Sequence, residues 1–252
     1  MRIVVLSSGS KGNTTFIESG NTKILIDLGN SCKYVTDKLK EIGVSPNEID
    51  AILITHTHID HVKGLKVFTN KYKTNVYISN KMKNDLDYLE NYQLIEEIIN
   101  IKDLLINTIK TSHDTEESFG YVIESNKKSL VYITDTGYIN EKYHKLLSNR
   151  NIYILESNHD IEMLHNGPYP LKLRQRILGD KGHLSNYDCS KYLSNFIGNN
   201  TKCIMLAHLS QDNNTPSIAY DTLIERLNNN NQSIDKIIIL EQDNISEEVL
   251  IW

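Results

Sequence analysis

The residues of this chain best suited to chemistry lie in the segment 55–61, which reads Thr-His-Thr-His-Ile-Asp-His. It directly follows the apolar run 51–54, and the stretch 62–72 behind it has helical spacing. The histidines are therefore predicted to lie on a turn between a buried strand and a helix. Three imidazoles and one carboxylate in so few residues indicate metal ligands rather than an ordinary polar loop.

The spacing of these side chains indicates that they face two places. His56 and His58 are two residues apart in an extended segment and point to the same side, whereas Asp60 and His61 enter the helix and can face elsewhere. Four potential ligands aimed at two points suggest two metal ions.

Three further polar residues, His113, Asp135 and His208, each follow an apolar run that is predicted to be a strand. A lone histidine at a strand end is more often structural, but these three strand ends can converge on the edge that carries the histidine turn. Two metal ions ~3.5–4 Å apart need about seven protein groups, one of them a bridging carboxylate. We predict His56, His58 and His113 for one metal, Asp60, His61 and His208 for the other, and Asp135 between them.

Such a pair of ions lowers the pKa of water to give a nucleophile, and it also neutralises an anionic electrophile, which suits phosphodiesters, thioesters and lactams alike. Asp27 ends a predicted strand and could hold a histidine ligand through the second ring nitrogen. It could equally be a turn-starting aspartate before Gly29, and the sequence leaves both readings open.

A second group of polar residues lies between the Asp135 and His208 positions. Glu156 ends an apolar run, and His183 stands just before a predicted helix. A carboxylate that fixes an imidazole makes a general acid, so this pair is predicted to protonate the leaving oxygen, with Asp60 as a further catalytic residue. A helix-capping or structural role for His183 is the alternative.

Basic residues alternate along the segment 171–177 and are followed by one more, which predicts a local track for phosphate groups in an acidic protein. A solvated helix face would show the same composition. The predicted substrate-binding residues are Lys172, Arg174, Arg176 and Lys181.

Length and composition indicate one elaborated domain, 1–252, with an ordinary core. The net charge of -5 gives no support for a general electrostatic attraction to nucleic acid, so such a partner would need a local patch. Three scattered cysteines argue against a disulfide framework and for the cytoplasm. The apolar amino terminus is too short to span a membrane, and no membrane partner is expected.

Strand patterns occur in both halves of the chain, and helices are predicted at 32–42, 62–73, 80–91 and 168–178 among others. No linker divides the chain. Strand-rich halves with interposed helices predict an α/β (α+β) fold, a four-layer αββα sandwich of two mixed sheets flanked by helices.

The signature His-x-His-x-Asp-His at 56–61 resembles that of the metallo-β-lactamase superfamily. Five further segments resemble its YycJ (WalJ) branch: Ser-Ser-Gly-Ser-Lys-Gly-Asn (7–13), Glu-Ser-Asn-His-Asp (156–160), Gly-Pro-Tyr-Pro (167–170), Gly-His-Leu-Ser-Asn (182–186) and Leu-Ala-His-Leu-Ser (206–210). The resemblance implies the αββα fold, two zinc or manganese ions, and a cytosolic phosphodiesterase that acts as a 5′→3′ DNA exonuclease linked to repair. Similarity to tRNA-processing members of the superfamily favours Glu156 and His183 as a proton-relay pair.

The leading hypothesis is therefore a metal-dependent nuclease with nucleic acid, DNA in preference, as its substrate. A small-molecule hydrolase acting on thioesters or cyclic phosphodiesters is the enzymatic alternative, and a regulatory metal-binding module is the non-enzymatic one. A flavodiiron protein is disfavoured because His58 stands where such proteins carry a glutamate and no flavin domain follows. The sequence does not determine the oligomeric state.

Overall fold

The computed structural model describes residues 1–251, whose strands form two seven-stranded sheets. The first sheet contains β1 (Arg2–Ser7), β2 (Thr14–Ser19), β3 (Thr22–Ile26), β4 (Ala51–Leu53), β5 (Asn75–Ile78), β6 (Tyr92–Leu94) and the last strand, β14 (Val249–Leu250). The second contains β7 (Ile98–Ile101), β8 (Leu104–Lys110), β9 (Phe119–Ser125), β10 (Lys128–Ile133), β11 (Ile152–Glu156), β12 (Cys203–Ala207) and β13 (Lys236–Ile239).

Both sheets are mixed and have the same plan. The first has the order β14-β1-β2-β3-β4-β5-β6, and the second has the order β13-β12-β11-β10-β9-β8-β7. The first sheet is antiparallel from β14 to β3 and parallel from β3 to β6. The second is antiparallel from β7 to β10 and parallel from β10 to β13.

Helices flank the two sheets. They are α1 (Cys32–Glu41), α2 (Ile59–Val62), α3 (Leu65–Tyr72), α4 (His144–Leu147), α5 (Ile161–Asn166), α6 (Leu171–Leu178), α7 (Asn186–Phe196) and α8 (Pro216–Asn229). Apolar residues of α1 and α3 share one core cluster with the first sheet, and those of α7 and α8 share another with the second.

Side chains of the second sheet point alternately into two separate hydrophobic cores. Leu130 and Tyr132 of β10 pack into the cluster shared with the first sheet, whereas Val131 and Ile133 pack into the cluster shared with α7 and α8. Successive side chains of a strand point to opposite faces, so one strand serves both layers. The predicted αββα sandwich is confirmed.

Several predicted helices differ from the observed ones. The segment 80–91 forms only a short 3₁₀ turn, Lys81–Lys83, followed by further turns. Its asparagines and aspartates compete with the helical backbone for hydrogen bonds and favour turns. The predicted helix 62–73 is interrupted before Leu65, and 168–178 is helical only from Leu171. Among residues 1–251, no helix has the length and apolar character of a membrane span.

The site lies where strands of both sheets end. In open α/β sheets, functional groups collect outside the carboxyl ends of parallel strands. Here β3 leads to Asp27, β10 to Asp135 and β12 to His208, while Glu156 is the last residue of β11 and the histidine turn follows β4.

Candidate metal centre

The histidine turn is held close to the loop that follows β3. His58 caps the short helix α2, whose first turn contains Asp60 and His61. In the loop after β3, a Cβ at Gly29 would lie 1.7 Å from the carbonyl oxygen of Asp60. The backbone N–H of Asn13, in the loop after β1, donates to the same oxygen at 2.8 Å. Only glycine permits this close approach of two loops.

The first group of potential ligands is His56, His58 and His113, whose ligand atoms all lie within 4.8 Å of one another. Nε2 of His113 is 3.3 Å from Nδ1 of His58, and its own Nδ1 lies 3.2 Å from the carbonyl oxygen of Gly182. A ring that donates through Nδ1 to a carbonyl presents Nε2 as a lone-pair donor. Burial is the main cause that lowers the pKa of His56 and of His113, so both favour the neutral form that a metal requires.

The second group is Asp60, His61 and His208, and each imidazole is held by a buried carboxylate. Nδ1 of His61 lies 2.8 Å from Oδ2 of Asp27, and Nδ1 of His208 lies 2.9 Å from Oε1 of Glu156. The Nε2 atoms lie 3.4 Å and 3.8 Å from Oδ2 of Asp60. Burial opposes ionisation of Asp60, but the neighbouring imidazoles outweigh it and hold its pKa well below the usual value.

Asp135 lies between the two groups. Its Oδ2 is 3.3 Å from Nε2 of His61, and its Oδ1 is 3.9 Å from Nε2 of His113. It also joins His56 and His61 in a third potential ligand group. This is the placement that a carboxylate shared by two metal positions requires.

Three site residues at strand ends have left-handed backbone conformations. Asp27, Asp135 and His208 have φ angles of 59°, 54° and 56°. Aspartate and histidine visit this region more readily than most residues, but the conformation is uncommon outside glycine. Such backbone strain is typical of functional sites, where the surrounding structure maintains it.

The donor set fits divalent metal ions. Nε2 of His56, Oδ2 of Asp135 and Nε2 of His208 are buried and have no hydrogen-bond partner among residues 1–251. Buried polar atoms normally have partners, so atoms that converge without them are expected to bind a ligand. Imidazole nitrogen and carboxylate oxygen are donors that zinc and manganese both accept.

Glu156 connects the second ligand group to His183. Oε1 of Glu156 lies 2.8 Å from Nδ1 of His183 as well as 2.9 Å from Nδ1 of His208. Its Oε2 accepts the backbone N–H groups of Thr136 and Leu184 at 3.1 Å and 3.0 Å. Burial opposes ionisation, yet the charge of His183 and the hydrogen bonds of both imidazoles lower the pKa of Glu156 to about 2.

The family model of the metallo-beta-lactamase superfamily matches residues 8–160. The exodeoxyribonuclease WalJ of Streptococcus pneumoniae is 37% identical over 233 residues, which cover 88% of this chain and 87% of that protein. The chain belongs to the metallo-β-lactamase superfamily. The exodeoxyribonuclease YycJ of Bacillus anthracis is also 37% identical, over 85% of this chain and 84% of its own. The resemblance to the YycJ (WalJ) branch is confirmed.

A solved structure supports the same fold. The metallo-β-lactamase fold protein YhfI of Bacillus subtilis has a TM-score of 0.74 at 14% identity and covers 98% of this chain and 99% of its own. Membership in the metallo-β-lactamase superfamily, together with the grouped histidines and aspartates, makes the chain a metal-dependent hydrolase.

A cavity of about 190 Å³ opens beside the potential metal ligands. His113, His183 and His208 line it together with Arg176 and Lys181. The cavity is therefore bordered by a member of each of the two potential ligand groups and by His183.

The four predicted substrate-binding residues do not share one face. Residues two apart share a side only in a strand. This segment forms the helix α6, in which residues three or four apart are neighbours. Lys172 and Arg176 therefore share a side, whereas Arg174 points away and donates to the carbonyl oxygen of His165. Arg176 and Lys181 line the cavity, and Lys172 is exposed outside it.

Two polar residues at the site were missed by sequence reasoning. Nδ2 of Asn13 lies 3.3 Å from Oδ2 of Asp60 and 3.1 Å from Nε2 of His61. Oδ1 of Asp114 lies 3.3 Å from Nε2 of His113. Asn13 ends the glycine-rich turn, and Asp114 directly follows a predicted ligand. Their positions beside these predicted features are the signal that could have found them.

Proposed function

We propose that this chain is a metal-dependent phosphodiesterase that acts as an exonuclease on DNA. One observation carries the proposal: a single carboxylate oxygen, Oε1 of Glu156, contacts both the potential ligand His208 and the cavity-lining His183. This contact supports a proton donor beside the proposed metal centre, an arrangement suited to hydrolysis of a phosphodiester.

Seven residues would bind two zinc or manganese ions. The first position takes His56, His58 and His113, the second takes Asp60, His61 and His208, and Asp135 lies between them. Because these ligands come from loops of both sheets, they support 1–252 as one functional domain. When bound, the ions would neutralise the charge of the phosphodiester and make water nucleophilic at neutral pH.

The protein's own residues hold and move the proton. Glu156 fixes Nδ1 of His183, so Nε2 is the nitrogen left to give a proton to the leaving oxygen. Burial opposes the imidazolium, but the charge of Glu156 outweighs it and raises the pKa of His183, which favours the protonated form that an acid needs.

A nucleic-acid substrate is supported by the relatives that are named exodeoxyribonucleases, and 5′→3′ polarity is our proposal from the same resemblance. Because the chain carries a net charge of -5, the strand must be held locally, and Arg176 and Lys181 are the cations that line the cavity. Three free, buried cysteines support a reducing compartment, the cytoplasm.

The experiment is hydrolysis by the metal-loaded protein of oligonucleotides labelled at either end, beside bis-nitrophenyl phosphate and a thioester. We expect mononucleotides to be released from the 5′ end, and His183→Ala to reduce kcat by about 10²–10⁴-fold with the metal retained. His61→Ala should abolish both activity and metal at one position, as measured by elemental analysis.

The exposed His165 on α5 provides the matched control, His165→Ala, because it lies outside every potential ligand group formed by residues 1–251. Preference for the thioester, or full activity in His61→Ala, would contradict the proposed function.

A further inference from the structure

Asp114 and Arg176 form an ion pair at the mouth of the cavity. Nε of Arg176 donates to Oδ2 of Asp114, and both residues line the cavity. Among residues 1–251, Asp114 belongs to none of the potential ligand groups, so the proposed metal positions do not use its carboxylate. The pair joins the loop after β8 to the helix α6, two segments 62 residues apart in the chain.

The guanidinium of Arg176 is held in one orientation but keeps hydrogen-bond donors without partners. Only Nε is engaged by Asp114, and within residues 1–251 neither Nη1 nor Nη2 makes a hydrogen bond. The side chain is 55% exposed. A planar guanidinium that is held at one edge presents its remaining donors in a fixed direction, and this geometry matches the oxygens of a phosphate group.

Stability does not explain the pair. Exposed ion pairs contribute about 0–1 kcal/mol to folding, and this guanidinium is more than half exposed. Holding a long side chain in one geometry instead reduces the entropy lost when a ligand binds. The pair is therefore suited to preparing Arg176 for an anion.

The position of the carboxylate decides which phosphate Arg176 can reach. Oδ1 of Asp114 faces the potential ligands, 3.3 Å from Nε2 of His113 and 3.8 Å from Nε2 of His58. The negative charge of Asp114 thus stands between the guanidinium and the ligand groups. A phosphate at the metal centre is separated from Arg176 by this charge, whereas a phosphate farther along the strand meets the free Nη donors.

We infer that Asp114 is a positioning residue that holds Arg176 as a clamp for a phosphate next to the one that is cleaved. The inference rests on the proposed nuclease function and deepens it, because the clamp would make the site select a nucleic-acid strand over a lone phosphodiester. Arg176 makes the contact, and Asp114 sets its direction and its distance from the metal centre.

The first test measures binding without turnover. A fluorescent single-stranded oligonucleotide with cleavage-resistant phosphorothioate linkages is titrated against the metal-loaded protein at several salt concentrations. Arg176→Gln should weaken binding about tenfold and make the slope of log K against log [salt] shallower by about 0.7, the loss of one phosphate contact. Asp114→Ala should also weaken binding although it removes a negative charge, and Asp114→Asn, which keeps an acceptor for Nε, should lie between.

If Asp114 acted only through its negative charge, Asp114→Ala would bind the oligonucleotide more tightly. Tighter binding by that variant would therefore overturn the inference. An unchanged salt slope in Arg176→Gln, or loss of metal from Asp114→Ala in elemental analysis, would also overturn it. Arg150→Gln is the matched control, because Arg150 pairs with Glu124 and lines a separate cavity. It should leave affinity and slope as in the unmodified protein.

The second test measures selectivity. For Arg176→Gln, the ratio of kcat/KM for an oligonucleotide to kcat/KM for bis-nitrophenyl phosphate should fall about tenfold, and the double variant with Asp114→Ala should lose little more because the two residues act as one unit. An additive double variant would contradict the clamp. An unmodified protein that cleaves no oligonucleotide would instead contradict the proposed function, while the binding titration still tests the clamp.

Discussion

Glu156→Gln is the substitution whose consequences the structure defines most closely. The carboxylate is fully buried and accepts from four donors, two imidazoles at Oε1 and two backbone N–H groups at Oε2. Glutamine replaces one of these acceptors by an NH₂ group. If that group faces Thr136 and Leu184, two buried N–H donors lose their partner, at about 1–3 kcal/mol each, or about 2–6 kcal/mol in all.

In the opposite orientation the NH₂ group faces the imidazoles and donates to Nδ1 of His183 and of His208. Both rings must then carry their hydrogen on Nε2, which prevents His208 from binding a metal through that atom. Every orientation therefore costs either folding stability or metal binding. Both orientations also remove the carboxylate charge that favours the protonated form of His183.

Urea unfolding, elemental analysis and phosphodiesterase assays of the same preparation measure these effects. We expect a loss of at least about 2 kcal/mol in unfolding free energy or of metal at one position, with kcat reduced at least about 10²-fold. Glu225→Gln, an exposed glutamate of α8, is the matched control and should be neutral. A variant that keeps its stability, its metal and its activity within a few-fold would refute the assigned hydrogen-bond network.

Two further substitutions test buried groups. Asp27→Asn should lower metal affinity about 10–100-fold in a chelator competition, because Asp27 holds Nδ1 of His61 at 2.8 Å, and unchanged affinity would contradict that role. Burial lowers the pKa of His159 to about 4, so the unfolded chain binds more protons between that value and about 6.5, and stability falls as the pH drops through this window. From pH 7 to pH 5 we expect a loss of about 2 kcal/mol from this residue, absent in His159→Gln, and parallel pH curves for the two proteins would disprove it.

The sheets and their order of layers could be predicted because the strands carry clear signals. An apolar run followed by a polar residue predicts a buried strand and also the point at which it ends. The runs before Asp135 and His208 are examples. The segment 80–91 could not be predicted in the same way. Leu86 and Leu89 are buried, but turns bury them as well as a helix would, so apolar spacing alone is ambiguous there.

The parts of the candidate site that depend on residue type could be predicted from the sequence. The parts that depend on the direction in which a side chain points could not. The grouping of the seven potential ligands follows from strand ends that meet at one edge. The direction of Arg174 depends on helical rather than extended geometry, and the pairing of Asp114 with Arg176 joins segments whose contact no local pattern encodes. The sharing of one oxygen of Glu156 by two imidazoles likewise depends on packing alone.

The left-handed conformations of Asp27, Asp135 and His208 limit which substitutions this chain can accept, in engineering or in evolution. Glycine or asparagine would adopt these backbone angles at lower cost, so selection for thermostability alone is expected to favour them at the three positions. Each such change would remove a carboxylate or an imidazole from the site. The three positions thus mark where variants enriched for stability and variants enriched for activity should separate in a mutant library.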